Sequence, residues 1–406
     1  MYSREPVFAT HARNLSSYLL FSTLTGWSAM YVLANHGRHF VVMGIAYGLI
    51  LLLAGGFLLF IHTPVFLQRV LSSRVLWLTA VLLLAVVDLI RFPEQLHALH
   101  PSTASFALTE TARQLAHARD PYLVHLDRDA PISPGPGWIL LVAPLSLAGV
   151  VTLLTPICIA FFYYLLELRS RLGAGIFVCL VFAQPVLLST GFEGHDIFAI
   201  PIVFASLCLL ADHFSERNGA VALLGLLAGF YATSRIPIVI LVLILGLGLY
   251  RRRARAGAIF LAISLSTASF LHGVFYLWTR HDGVFYQPLH LFRRAGRSGH
   301  ATEIVAVIGA SIVALGIMTL MKGQPRDWIF AGGLFLVAAF VPQGVGELIR
   351  GHGDYKMWEG SLYVSFGLSL LAATLALSST GPEMEDGRLR TLIAEDKFQN
   401  AGMVRK

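Results

Sequence analysis

The chain has 406 residues, 56% of them hydrophobic and only 13% charged, with a mean hydropathy of +0.70. A soluble protein carries roughly a quarter charged residues, so this composition excludes a soluble globular domain. The net charge of +7 belongs to no soluble basic domain, which argues against a nucleic-acid partner and for positive charge retained on the cytoplasmic side of a membrane. Cys158, Cys179 and Cys208 all sit in apolar runs without metal-ligand spacing and read as small apolar core residues. There is no Walker loop, dinucleotide fingerprint or HExxH, which argues against a nucleotide-driven pump and predicts no metal site and no cofactor.

Taken in chain order, apolar runs at 15–34, 40–61, 75–90, 138–167, 173–190, 195–212, 219–233, 236–250, 256–278, 302–321, 327–345 and 358–378 predict an all-α polytopic protein of about twelve spans. Pro144 and Pro156 are expected to break or kink the long fourth run. The start MYSREPVFATHARN lacks a signal-peptide cleavage pattern, so the first span is expected to be retained. An N-terminus in the cytoplasm places 18 of the 30 basic residues inside, including RRRAR at 251–255, against 12 outside. Residues 1–378 then form one transmembrane domain and 379–406 a cytoplasmic tail. The multi-pass chain is expected in a bacterial plasma (inner) membrane with both termini cytoplasmic.

Between the third and fourth spans, residues 91–137 form a long polar outer loop. Ser102 or Thr103 can cap a helix running to about Ala118, with Phe106, Leu108, Ala112, Leu115 and Ala116 apolar and Glu110, Arg113 and Gln114 polar. Such an amphipathic helix would lie flat on the outer leaflet; Glu110 and Arg113 stand at i,i+3, where a simple surface pair also forms. Asp120-Pro121 ends it, and SPGPG feeds the fourth span. The next outer turn, GFEGHDIFAIPI, crowds Glu193, His195 and Asp196 at the mouth of two spans, where ionisable groups are costly and usually functional. The bland alternative is a wet turn with Asp196 capping the sixth span. The turn ATSRIP joins two spans of only 15 residues each, so Arg235 is expected below the outer surface, facing the interior, with a snorkelling arginine as the alternative. The segments 279–301, carrying Arg293, Arg294 and Arg297, and 346–359 bring further aromatic and charged side chains to the same side. Arginines there suit a phosphate or pyrophosphate, or anionic lipid headgroups.

Three strings carry a resemblance. ARDPY followed by SPGPGWILLVAPLSL, GHDIFAIPIVFASLCLLADH, and GLLAGFYATSRIPIVILVLILGLGLYRRR stand in an order similar to that in bacterial GT-C glycosyltransferases, above all the polyprenyl-phosphate-dependent mannosyl- and arabinosyltransferases. The resemblance covers roughly residues 75–255. It implies a GT-C-like fold and a hexosyl- or pentosyltransferase of cell-envelope biogenesis. The implied partners are a polyprenyl-phosphate-linked sugar donor, a glycan or lipid acceptor, and membrane lipids. Arg235 stands where the family more usually has lysine, and Ser105-Phe106 stands where it has an acidic residue before phenylalanine.

The chemistry needs a carboxylate to take the acceptor hydroxyl's proton and cations to stabilise the departing phosphate. Glu110, Asp88 and Asp196 are the candidate bases, in that narrow order. Asp120, Tyr122, His195, Arg235, Arg293, Arg294 and Arg297 are the candidate substrate-binding residues. A transporter or flippase for a lipid-linked glycan, or a non-catalytic partner in envelope assembly, would also place basic groups on this side; the first would show internal repeats.

Overall fold

The computed structural model describes residues 7–35, 37–60, 64–96, 103–124, 126, 131–290, 301–321, 323–358 and 360–379. It is 83% helix with no strand among the described residues, as expected where no water is present to satisfy an open backbone. The helices are α1 (Val7–Ala34), α2 (Phe40–Phe60), α3 (Val65–Leu71), α4 (Arg74–Leu96), α5 (Thr103–Ala116), α6 (Pro136–Leu147), α7 (Leu154–Glu167), α8 (Arg171–Phe182) and α9 (Pro185–Thr190). They continue as α10 (Ala199–Phe214), α11 (Asn218–Ala232), α12 (Val239–Arg252), α13 (Ala254–His281), α14 (Ala301–Leu320), α15 (Pro325–Arg350), α16 (Ser361–Ser365) and α17 (Leu368–Ser378).

Each expected apolar run falls on helix, but four stretches are individually long and apolar enough to cross a membrane: Arg74–Pro93, Ala254–His281, Pro325–Arg350 and Ser361–Ser378. Two bent pairs raise the number to six. The first bent pair corrects an expectation. The run 138–167 turns through 119° between α6 and α7, and neither proline makes the turn. The break falls at Gly149, whose φ of +72° suits glycine. Its amide donates to the Ser146 carbonyl and the Val150 amide to that of Leu145, a glycine-centred helix stop. Pro144 lies within α6 and Pro156 in the first turns of α7. In the second pair the chain bends by 68° before Pro185, the first residue of α9.

α10, α11 and α12 run alternately, so their ends sort into two groups. At one end Asp212 receives both Arg169 (2.7 Å) and Arg252, and Arg253 pairs with Glu216. Arg251 there donates to the Met321 carbonyl at 2.9 Å, and Arg13 meets buried Asp327 at 2.7 Å where α15 begins. The RRRAR run is therefore a clamp between helices as well as a patch of charge. The other ends of α10, α11 and α12 carry Asp196 and Arg235, and here residues 103–124 and 131–137 fold over. A small separate core under that loop joins Ala107, Tyr122, Leu126, Ile132 and Ile139 to Phe275 and Tyr286.

Candidate functional site

α11 stops at Ala232, and Thr233–Arg235 turn the chain before Pro237 enters a short 3-10 stretch. Arg235 is extended there (φ −153°, ψ 144°). Its Nη2 donates to Asp196 Oδ1 at 2.9 Å and its Nη1 to the Ser234 carbonyl at 2.7 Å. A guanidinium has five N–H donors, so these two bonds leave three, and the side chain keeps 24% exposure. Asp196 is buried, and its Oδ2 accepts from Trp138 Nε1 at 2.7 Å. The Asp196 side chain thus caps no helix, and Arg235 reaches inward to it instead of out to a headgroup. Trp138 is held in turn: its ring meets Tyr231 edge-on at 6.2 Å, and the Tyr231 hydroxyl donates to the Ile200 carbonyl at 3.0 Å.

The SPGPG string is strapped to the same turn. The Gly135 amide donates to the Thr233 carbonyl and the Trp138 amide to Thr233 Oγ1, both at 2.9 Å. A Cβ on Gly135 would lie 2.2 Å from the Thr233 carbonyl oxygen and 3.0 Å from His272 Cε1, so only glycine fits this joint.

The turn 191–196 brings a second carboxylate. A Cβ on Gly191 would lie 3.2 Å from Asp88 Oδ1, so Asp88 of α4 packs directly against the turn. Asp88 is 1% exposed and its Oδ2 has no hydrogen-bond partner. The far side of the turn touches Ser105: a Cβ on Gly194 would come 3.0 Å from the Ser105 Cβ. Arg91 stacks on the Phe192 ring, its Cζ 4.0 Å from the ring centre. His195 Nε2 meets Glu193 Oε2 at 3.0 Å. Asp88, Ser105, Glu193, His195 and Asp196 are therefore gathered around one six-residue turn, with Arg235 beyond Asp196.

Glu110 stands differently. Arg113 donates to it across one helical turn, the simple surface pair. The helix that carries it is α5, which ends at Ala116 and buries Ser105, Ala107, Leu108, Thr111 and Ala112. α5 packs on α6 and on Pro121–Leu123, so half of the expected flat interfacial helix faces protein.

Asp120 and Tyr122 are buried parts of the loop's own framework. Asp120 Oδ1 accepts from the Tyr122 amide at 2.8 Å. Burial raises its carboxyl above the ordinary range, and that amide bond opposes the shift. Tyr122 packs edge-on to Tyr286 at 5.2 Å, and burial pushes its phenol well up. Gln287 fastens the loop: its Nε2 donates to the Tyr122 carbonyl at 2.8 Å, and its Oε1 accepts from the Ile132 amide at 2.6 Å. The Tyr286 hydroxyl lies 2.6 Å from His272 Nδ1.

Arg293, Arg294 and Arg297 lie outside the described residues. Trp138, His272, Tyr286 and Gln287 were not singled out by the sequence. A usable signal existed for His272, an ionisable residue in the apolar run 256–278. Among the described residues, no three His, Cys, Asp or Glu side chains converge as a metal site would require. No family model, no curated protein and no solved structure matches the chain.

Proposed function

We propose that this chain is a GT-C-type membrane glycosyltransferase of about twelve spans. It moves a sugar from a polyprenyl-phosphate donor to a glycan or lipid acceptor on the outer face of a bacterial plasma membrane. Both termini lie in the cytoplasm, as the distribution of arginine and lysine favours.

One observation carries the reading. The 191–196 turn has a buried carboxylate with an unengaged oxygen, Asp88, on one side. On the other it has a partly exposed arginine held by Asp196. A transferase that displaces a phosphate needs this division of labour. The acceptor hydroxyl oxygen forms a bond to the anomeric carbon, and the bond from that carbon to the phosphate oxygen breaks. The polyprenyl phosphate leaves with the electron pair, and the hydroxyl proton passes to Asp88. Arg235 takes the charge that develops on the leaving phosphate. Asp196, both of whose oxygens already accept a hydrogen bond, positions the arginine. Glu110, already paired with Arg113, has no part in proton transfer. Asp88 stands beside the turn whose other side touches Ser105, the position where the resembling family has its acid.

The test is sugar transfer by purified protein in liposomes supplied with a polyprenyl-phosphate sugar. Asp88→Asn should lower turnover by roughly two to four orders of magnitude, while Glu110→Gln leaves it near wild type. Arg235→Ala should raise the donor KM, with partial recovery in Arg235→Lys. Wild-type turnover in Asp88→Asn would refute the mechanism.

A further inference from the structure

At the end of the bundle that carries Asp212, opposite Asp196 and Arg235, three mutually packed helices bring two arginines to one carboxylate. α4 begins with Arg74 and α8 with Arg171. Both reach Glu167, the last residue of α7, through Nε, at 3.5 Å and 3.7 Å. These separations exceed a hydrogen bond, and both guanidiniums are exposed. The junction itself is tight. A Cβ on Gly175 would lie 1.6 Å from the Leu71 carbonyl oxygen, so the chain that enters α4 presses directly on α8.

Charge here is out of balance. One carboxylate answers two cations, and each cation stands at a helix start, where the macrodipole opposes it. Those starts also turn unsatisfied amides outward; Ser170 Oγ takes only that of Gly173, at 3.1 Å. A buried group makes the same demand. Tyr163 lies one turn before Glu167 on the same face of α7 and is 1% exposed. Its hydroxyl has no hydrogen-bond partner and sits in the field of Glu167, Arg74 and Arg171. A buried hydroxyl left unpaired is costly, and an O–H among guanidiniums is a donor set for an anion. Neither arginine is fixed by a hydrogen bond to Glu167, so the two can part around one. Val75, Tyr164 and Leu168, each next to this group or one residue beyond it, expose apolar surface to the outside of the bundle, which suits acyl chains and not a free ion.

We propose that Arg74 and Arg171 bind the phosphate of an anionic membrane phospholipid and that Tyr163 donates to one of its oxygens. Guanidiniums grip a phosphate through paired N–H groups, and Glu167 keeps the two arginines together when the lipid is absent. The site is independent of the transferase reading, because it lies at the other end of the bundle and touches none of the groups assigned to catalysis.

The test adds dioleoylphosphatidylglycerol, dioleoylphosphatidylcholine or sodium phosphate to the intact protein in detergent, and reads bound lipid by native mass spectrometry and the melting temperature. Wild type should retain the anionic lipid at least ten-fold more than the zwitterionic one and melt higher with it. Arg74→Ala with Arg171→Ala should bring retention down to the zwitterionic level. Arg255→Ala, which removes an exposed charge elsewhere, should leave it unchanged. Tyr163→Phe should melt at or above wild type without lipid, since it removes an unpartnered hydroxyl, and should gain less than half the wild-type stabilisation when the anionic lipid is added. Equal retention of the two lipids overturns the proposal, as does a loss in Arg255→Ala as large as in the double variant, which would leave only bulk charge. An equal rise in melting temperature with sodium phosphate overturns the lipid as occupant. If the double arginine variant fails to fold, Tyr163→Phe decides: a full wild-type gain with lipid overturns the site.

Discussion

Gly135→Ala separates a spacer glycine from a structural joint. The residue has φ −85° and ψ 172°, a conformation alanine adopts without strain, so any effect is steric. The added methyl would lie 2.2 Å from the Thr233 carbonyl oxygen, about 1.2 Å short of ordinary contact. That oxygen is backbone, so no rotamer change relieves the clash; the loop and the Thr233–Arg235 turn must move apart. Overpacking of this kind costs about 1–3 kcal/mol, and loss of the Gly135 amide bond adds about 1 kcal/mol. Arg235 is two residues from the displaced carbonyl. A shift of about 1 Å at a reacting group lowers rates on the order of 100-fold. The assays are melting temperature in detergent and sugar transfer in liposomes. Gly219→Ala is the control: its Cβ meets nothing within 4 Å, and as the second residue of α11 it should melt at or slightly above wild type. A Gly135→Ala protein with wild-type melting and wild-type transfer would refute the claim that this contact holds the loop to the arginine turn.

Two other perturbations follow from the same geometry. Asp196→Ala should strand Arg235 and destabilise the protein, by less than the roughly 3–5 kcal/mol of a fully buried pair because the arginine keeps 24% exposure. Asp196→Asn retains an acceptor for Trp138 and should melt between the two; equal melting of all three proteins would refute the positioning role. Asp120 supplies a pH dependence. Burial raises its carboxyl in the folded chain, so folding favours the protonated form. Its contribution is full below about pH 4 and is lost as pH rises through the raised value. Asp120→Asn, which can still accept from the Tyr122 amide, should show a flatter melting profile across that window, and an unchanged profile would exclude Asp120 as the source.

Much of the site's inventory could be read from residue types at span ends. Asp196 and Arg235 stand out because ionisable groups beside a membrane need a reason to be there, and the structure supplies each with the other as partner. Their third companion was hidden. Trp138 reads as an ordinary apolar residue opening a span, and only the fold shows its indole N–H aimed at Asp196. Asp88 was visible as a candidate base, and Arg91, three residues on, lies on Phe192 in the structure. Glu110 drew attention by its closeness in sequence to an expected acid, and its partner is the simple one, Arg113. Prolines were the natural suspects for the bend in 138–167, yet a glycine able to take positive φ made it. Gln287 gave no local signal, because its partners lie 155 and 165 residues away.

That distance has a consequence for synthesis. Tyr122 and Ile132 leave the ribosome long before the glutamine that fastens them. At roughly 5–20 residues per second, the interval is on the order of ten seconds. Throughout it the nascent chain already contains Asp88, and it gains first Asp196 and then Arg235, while the loop that covers them has no clasp. A chain that ends between residues 235 and 287 would carry each of these charged groups and still leave its loop unfastened, so completion of this centre waits for Gln287.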